Sequence, residues 1–387
     1  MRAEGSNLLI INFIRLLRSA RNDGISNFSN SILGRGKEPQ TMEPIKNKIK
    51  KSSSELTKED FISDQVVKWC PGCGAHSILS SIATAFPKIG YRKENFTFVS
   101  GIGCSSRFPY YVNVYGFHGI HGRAAAIASG VKLANPGLSV WVATGDGDSL
   151  AIGGNHFIHV IRRNIDLNIL LFNNQIYGLT KGQFSPTTPF GTITKTSPYG
   201  TIENAFNVGE LVIGAQGTFF ARSLDSNPNL LSDLMIEAAR HDGTSVIEIM
   251  QNCIIFNNKA FDYISSKETR DDNQIILRHG EPMVFGKNNE KGLIIGNGNL
   301  KVVEIGKNGI SIDDILIHDA KSPNMVLHMM LTQMSPPDYP VALGLIRMVA
   351  KPTFDDLLEG QIEKEKAKSE IKCVDDLLNS GTIHEVL

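Results

Sequence analysis

The 387-residue sequence has no apolar run long enough to cross a bilayer. Its best candidate, residues 8–17, is interrupted by Asn12 and Arg15 and falls well short of the roughly 20 residues a spanning helix needs. A transmembrane helix is thereby excluded. Charge of neither sign is in excess, since 39 Lys plus Arg balance 39 Asp plus Glu, so the basic field of a dedicated nucleic-acid binder is missing. Cysteine is scarce, with five residues at uneven spacing. An odd, sparse set argues against a disulfide-stapled secreted scaffold and for a reducing compartment, here expected to be the cytoplasm, with thiols free to act as ligands. Internal repeats are also lacking. What is present is 41% hydrophobic and 20% charged residues with 36 Gly, a balance that suits a globular α/β protein rather than a disordered chain.

Residues 1–41 carry Arg2, Arg15, Arg18, Arg21 and Arg35 with few acids, and Ser, Asn and Gly are frequent from Asn22 to Gly36. Three readings compete for this stretch: a true start at Met42, a disordered extension, and a targeting peptide. Lys46 to Lys51 is a basic run inside a Ser/Lys/Glu-rich linker, so residues 1–55 are expected to be a poorly ordered extension. From Trp69 onward, short apolar or β-branched runs alternate with helical patterns, the signature of a mostly parallel sheet flanked by helices. Strands are expected at 96–99, 139–144, 168–172 and 245–250, and helices at 75–86, 123–134, 153–163 and 230–241. A Pro/Thr/Gly-rich loop at 185–200 has no apolar period, and loops of that length are usually functional. Composition turns polar after Phe261. The expected organisation is therefore a main domain at 56–260 and a smaller C-terminal domain with a charged tail at 261–387.

Each expected strand runs into a loop rich in Gly, Cys or Asn, and open α/β sheets bind ligands outside the carboxyl ends of their strands. The strand at 139–144 leads into Gly145-Asp146-Gly147-Asp148, a helix follows, and the next strand delivers Asn173-Asn174-Gln175-Ile176-Tyr177-Gly178. A lone Gly-Asp-Gly is more often a turn. Here the strand-helix-strand spacing brings Asp146 and Asn174 to one edge. The Asp146 carboxylate, the Asn174 amide oxygen and the Ile176 carbonyl would supply half the octahedral oxygen shell of Mg²⁺ and leave room for a diphosphate. Gly145 and Gly147 let the backbone approach the phosphates.

Trp69-Cys70-Pro71-Gly72-Cys73-Gly74 places a CxxC on a turn that opens a helix. Alone it is ambiguous among zinc, redox dithiol and iron-sulfur chemistry. Cys104, in Gly101-Ile102-Gly103-Cys104-Ser105-Ser106, and Cys253, just past residue 250, fall on two further strand-end loops. Four thiolates converging from three loops suit a cubane cluster held by Cys70, Cys73, Cys104 and Cys253, and the second CxxC of a zinc ribbon is missing. Cys373, in the charged tail, is expected to be a free thiol.

The CxxC motif, Ser100 to Ser105, His118-Gly119-Ile120-His121-Gly122-Arg123, Gly145 to Asp148, Tyr177-Gly178-Leu179-Thr180-Lys181-Gly182-Gln183 and Cys253 occur in an order that resembles the beta subunit of 2-oxoacid:ferredoxin oxidoreductases. The likeness runs from about Leu56 to the charged C-terminal stretch. It implies a thiamine diphosphate-binding fold and CoA-dependent oxidative decarboxylation of a 2-oxoacid, with 2-oxoglutarate favoured, to an acyl-CoA and CO₂. Electrons would pass through one 4Fe-4S cluster to ferredoxin. The resemblance implies Asp146, Asn174 and the Ile176 carbonyl as Mg²⁺ ligands. It places Ile102, Gly103, Cys104, Ser105, His121, Gly122, Arg123, Gly147, Asp148, Gly178 and Leu179 beside the cofactor, and it pairs Lys181 with the substrate carboxylate. Thiamine enzymes also need a Glu to activate the aminopyrimidine, which in this family a partner alpha or gamma-alpha subunit supplies. The chain is thus expected to be inactive alone, with no nucleic-acid or membrane partner. The competing reading is a zinc-binding structural or regulatory α/β module in which the Gly-Asp-Gly-Asp segment is only a turn.

Overall fold

The computed structural model describes residues 56–382 and 384. The expectation for residues 1–55 lies outside the described residues. Eleven strands form in the described part: β1 (Phe96–Ser100), β2 (Tyr115–His118), β3 (Ser139–Gly145), β4 (Asn168–Asn173), β5 (Phe219–Leu224), β6 (Ser245–Met250), β7 (Gln274–Leu277), β8 (Val284–Phe285), β9 (Lys291–Gly296), β10 (Asn299–Glu304) and β11 (Val341–Met348). Eight of them build one sheet in the order β2-β1-β3-β4-β6-β5-β11-β7, and β10-β9-β8 form a small antiparallel sheet. Neighbours from β2 to β5 all run parallel; only β11 opposes β5. Parallel pairing puts the carboxyl ends of β1, β3, β4, β6 and β5 at one edge, which is where the chemistry-bearing loops emerge.

The strands expected from sequence appear with ends shifted by at most one residue. β1, β4 and β6 are buried along their whole length, as strands covered on both faces must be. β5 and β11 are not apparent in the sequence pattern because each carries an arginine, Arg222 or Arg347, inside an otherwise apolar run. Both arginines are buried, so a polar letter here does not mark a solvent face.

The principal helices are α1 (Ala75–Ile89), α2 (Ala124–Ala134), α3 (Gly154–Arg163), α4 (Val208–Gly214), α5 (Pro228–Arg240), α6 (Val326–Gln333) and α7 (Phe354–Lys368). α1 continues past the expected end at Phe86, through Pro87, which gives up one helical hydrogen bond; Gly90, at φ 83°, then ends it. α1 and α5 lie side by side, with Ser232 Oγ donating to the Ser81 carbonyl at 3.2 Å. Between helices and sheet sits an aromatic core of Phe61, Phe86, Phe96, Phe98, Phe108, Trp141 and Phe172. Phe86 stacks on Phe96 with ring centroids 4.5 Å apart. Burial of each such ring stabilises by about 1.5–3 kcal/mol, enough to fix β1 and β3 and hence the loops at their ends.

Among the described residues, 56–132 and Leu138–Thr353 make one compact unit, and Leu133–Gly137 with residues 354–382 make another. β7 and β11, from beyond residue 261, belong to the large sheet together with β1 to β6. No described helix is long and apolar enough to cross a membrane.

Candidate active site

The loop after β3 holds two aspartates with different surroundings. Asp148 faces into the protein. Its Oδ1 accepts from the backbone N–H of Ile102 at 3.1 Å, from that of Gly122 at 2.8 Å and from His121 Nδ1 at 2.6 Å, while Oδ2 accepts from Thr144 Oγ1 at 2.8 Å. One carboxylate therefore ties together the loop after β1, the His118–Arg123 segment and the end of β3. The close fit explains Gly101, where a Cβ would fall 2.0 Å from Asp148 Oδ2. Residues Asp148–Ile152 then form a wide π-type turn, a feature common at functional sites.

Asp146 is buried as well, and its Oδ2 accepts from Ser185 Oγ and Thr187 Oγ1, each at 2.6 Å. Burial pushes its carboxyl above the ordinary range, against the lowering effect of those hydroxyls. A buried carboxylate with no cationic side chain among its hydrogen-bond partners is the donor that a divalent cation would complete.

From β4 the chain turns sharply at Gln175, whose φ is 56°. Asn174 Oδ1 accepts from the Ile176 N–H at 3.2 Å, and Thr188 Oγ1 holds the Gln175 carbonyl at 2.7 Å. Tyr177 lies across Gly147 and donates to its carbonyl at 3.1 Å. A Cβ on Gly147 would stand 2.2 Å from the tyrosine ring, so only glycine fits beneath it. These segments enclose a cavity of about 430 Å³, within the range of small-molecule sites.

The three cysteine loops reach the same edge. Cys73 N–H bonds to the Cys70 carbonyl at 3.1 Å, closing the CxxC turn, and Trp69 Nε1 donates to the Cys104 carbonyl at 2.7 Å. A Cβ on Gly178 would lie 3.5 Å from Cys253 Sγ and 3.8 Å from Cys104 Sγ. Burial, with Cys73, Cys253 and Cys70 adding to it, pushes the Cys104 thiol up to about 11; burial likewise raises Cys73. Among the described residues no three His, Cys, Asp or Glu side chains are close enough to hold a single metal ion.

Of the residues expected at the cofactor or its metal, Ile102, Gly103, Cys104, Ser105, His121, Asp146, Gly147, Asp148, Asn174, Ile176, Gly178 and Leu179 line the cavity. Gly122 is held behind it by Asp148. Arg123 and Lys181 are exposed and outside the lining; the Arg123 guanidinium meets His156, and Lys181 sits in a left-handed turn at φ 76°. Phe172 and Gln251 line the cavity without having been singled out from the sequence. The larger omission is Ser185 and Thr187: the Ser-Pro-Thr-Thr cluster was visible, but nothing in it showed which partner its hydroxyls would find.

Residues 101–249 match the family described as thiamine pyrophosphate enzyme, C-terminal TPP binding domain. The chain is 48% identical over 305 residues to the 2-oxoglutarate oxidoreductase subunit KorB of Mycobacterium tuberculosis, covering 79% of this chain and 81% of that protein. It is 47% identical over 185 residues to the 2-oxoglutarate synthase subunit KorB of Archaeoglobus fulgidus, covering 48% of this chain and 69% of that protein. Among solved structures, 2-oxoglutarate:ferredoxin oxidoreductase from Magnetococcus marinus, with 2-oxoglutarate, coenzyme A and succinyl-CoA bound, superposes with a TM-score of 0.68 at 28% identity. That match covers 86% of this chain and 98% of the other.

Proposed function

The chain belongs to the beta subunits of 2-oxoacid:ferredoxin oxidoreductases, and from that premise we propose that, joined to an alpha or gamma-alpha subunit, it converts 2-oxoglutarate and CoA to the acyl-CoA and CO₂, passing electrons through a 4Fe-4S cluster to ferredoxin. The substrate assignment is supported by the relatives named for 2-oxoglutarate. Thiamine diphosphate, when bound, supplies the carbanion-stabilising chemistry of decarboxylation, and a thiolate-held cluster takes up electrons one at a time. The observation that carries the proposal is the position of Gly178, which lines the cavity and lies against both Cys104 and Cys253. Cofactor loop and cysteine loops thus share a wall.

Asp146, Asn174 and the Ile176 carbonyl would hold Mg²⁺, and Cys70, Cys73, Cys104 and Cys253 the cluster. Asp148 keeps His121 and the loop after β1 in place around the cofactor. Lys181, on a short turn beside the cavity wall, offers a compact ammonium to the substrate carboxylate. The zinc-held module is not favoured, because the relatives are named as 2-oxoglutarate oxidoreductase and synthase subunits.

The Asp146→Ala variant is expected to lose Mg²⁺ and thiamine diphosphate while keeping its iron; retained thiamine diphosphate would overturn the cation assignment. Replacing Lys181 by Ala is expected to raise KM for 2-oxoglutarate by about tenfold or more, the size of one hydrogen bond to a charged group, with the cofactor still bound. An unchanged KM would remove Lys181 from substrate binding.

A further inference from the structure

Behind Asp146 a line of buried polar side chains crosses three neighbouring strands, β4, β6 and β5. Arg222 on β5 and Glu248 on β6 are directly paired in register, and Arg222 Nε donates to Glu248 Oε2 at 2.7 Å. Glu248 Oε1 accepts from Asn173 Nδ2, at the end of β4, at 2.8 Å. That bond turns the Asn173 amide oxygen toward Thr187, whose hydroxyl lies 2.9 Å from it and 2.6 Å from Asp146 Oδ2. All five side chains are buried.

We propose that Thr187 is a positioning residue for the cation site, set in place by the relay Arg222–Glu248–Asn173, and this rests on reading Asp146 as a ligand of the divalent cation. The Thr187 hydroxyl has one proton for two acceptors, so the bond is a shared, three-centre one. The shorter contact, to the charged Asp146 carboxylate, is the stronger, and the Asn173 oxygen holds the hydroxyl from the other side. The opposite amide orientation would set the Asn173 oxygen against the Glu248 carboxylate, and is disfavoured by that charge. Ser185 holds Asp146 Oδ2 from its own side at 2.6 Å. The carboxylate is thereby fixed before a cation arrives, and the ordering cost is met during folding rather than on loading. A buried ion pair is weak as a source of stability compared with apolar packing; its use here is to fix the orientation of Asn173.

The test uses the chain co-expressed with its partner subunit, stripped of divalent ions by a chelator and titrated with Mn²⁺ followed by electron paramagnetic resonance. The thermal midpoint of the stripped protein is recorded in parallel. Thr187→Val, which keeps the shape and removes the hydroxyl, is expected to weaken Mn²⁺ binding by about 10- to 100-fold, as when a partner of a metal ligand is lost. Thr187→Ser should recover most of that loss, and Glu248→Gln should weaken binding in the same direction. Unchanged Mn²⁺ affinity in both Thr187→Val and Glu248→Gln would overturn the proposal, as would a fall in thermal midpoint with affinity intact. Should Thr187→Val fail to fold, Glu248→Gln decides alone. Asp146→Asn separates the two levels: if it binds Mn²⁺ like the unaltered protein, the cation reading itself falls, whereas loss there with intact binding in the relay variants removes only the relay.

Discussion

His318 shows how a single buried side chain imposes a pH limit far from the active site. Its Nε2–H donates to the Leu345 carbonyl at 2.7 Å, while Nδ1 is buried without a hydrogen-bond partner. Burial pushes its pKa down to about 4 from the ordinary 6.5, with His328 and His279 adding to the effect and the Leu345 carbonyl and Asp319 opposing it. The fold therefore holds the ring neutral, and the unfolded chain takes up the proton first as pH falls. The contribution is complete above pH 6.5 and is lost between there and about 4, amounting to about 3 kcal/mol at 1.36 kcal/mol per pKa unit. Thermal midpoints of the complex between pH 7 and 4.5 are expected to fall less steeply in His318→Gln than in the unaltered protein. Equal slopes would contradict that role.

At the scale of elements, the site depends on how strand ends are tied to one another. Gly101→Ala would drive a Cβ into the Asp148 carboxylate and disturb its bonds to Ile102, Gly122, His121 and Thr144 at once. The expected cost is about 3 kcal/mol or more, from overpacking and stranded buried donors, with loss of thiamine diphosphate. The denaturation midpoint and cofactor content of the complex check both parts. What could be read without coordinates follows the same division. β1, β3, β4 and β6 were legible because continuous apolar runs end in Gly, Cys or Asn, and the Asp146–Asn174 spacing followed from the unit they form. β5 and β11 were hidden by Arg222 and Arg347, whose charges are met inside the protein by Glu248 and by backbone carbonyls such as that of Gly217. Asp146 and Asp148 read alike in sequence as parts of one motif. Only their partners separate them: Asp148 is engaged by Thr144 and by groups 26 to 46 residues earlier in the chain, Asp146 by hydroxyls 39 and 41 residues later. Contacts across that distance have no local signature.

For the whole molecule, the parallel sheet gathers loops from five strands at one edge, so that the cavity and two thiols, Cys104 and Cys253, meet at Gly178. The central claim is that one chain holds thiamine diphosphate and a cluster side by side. Its most direct test is the iron, acid-labile sulfide, zinc and thiamine diphosphate content of the chain, co-expressed with a candidate alpha subunit and purified without oxygen. The account predicts about four irons and four sulfides per chain, as for a Cys₄-bound 4Fe-4S cluster, together with thiamine diphosphate. Stoichiometric zinc without iron or thiamine would contradict it.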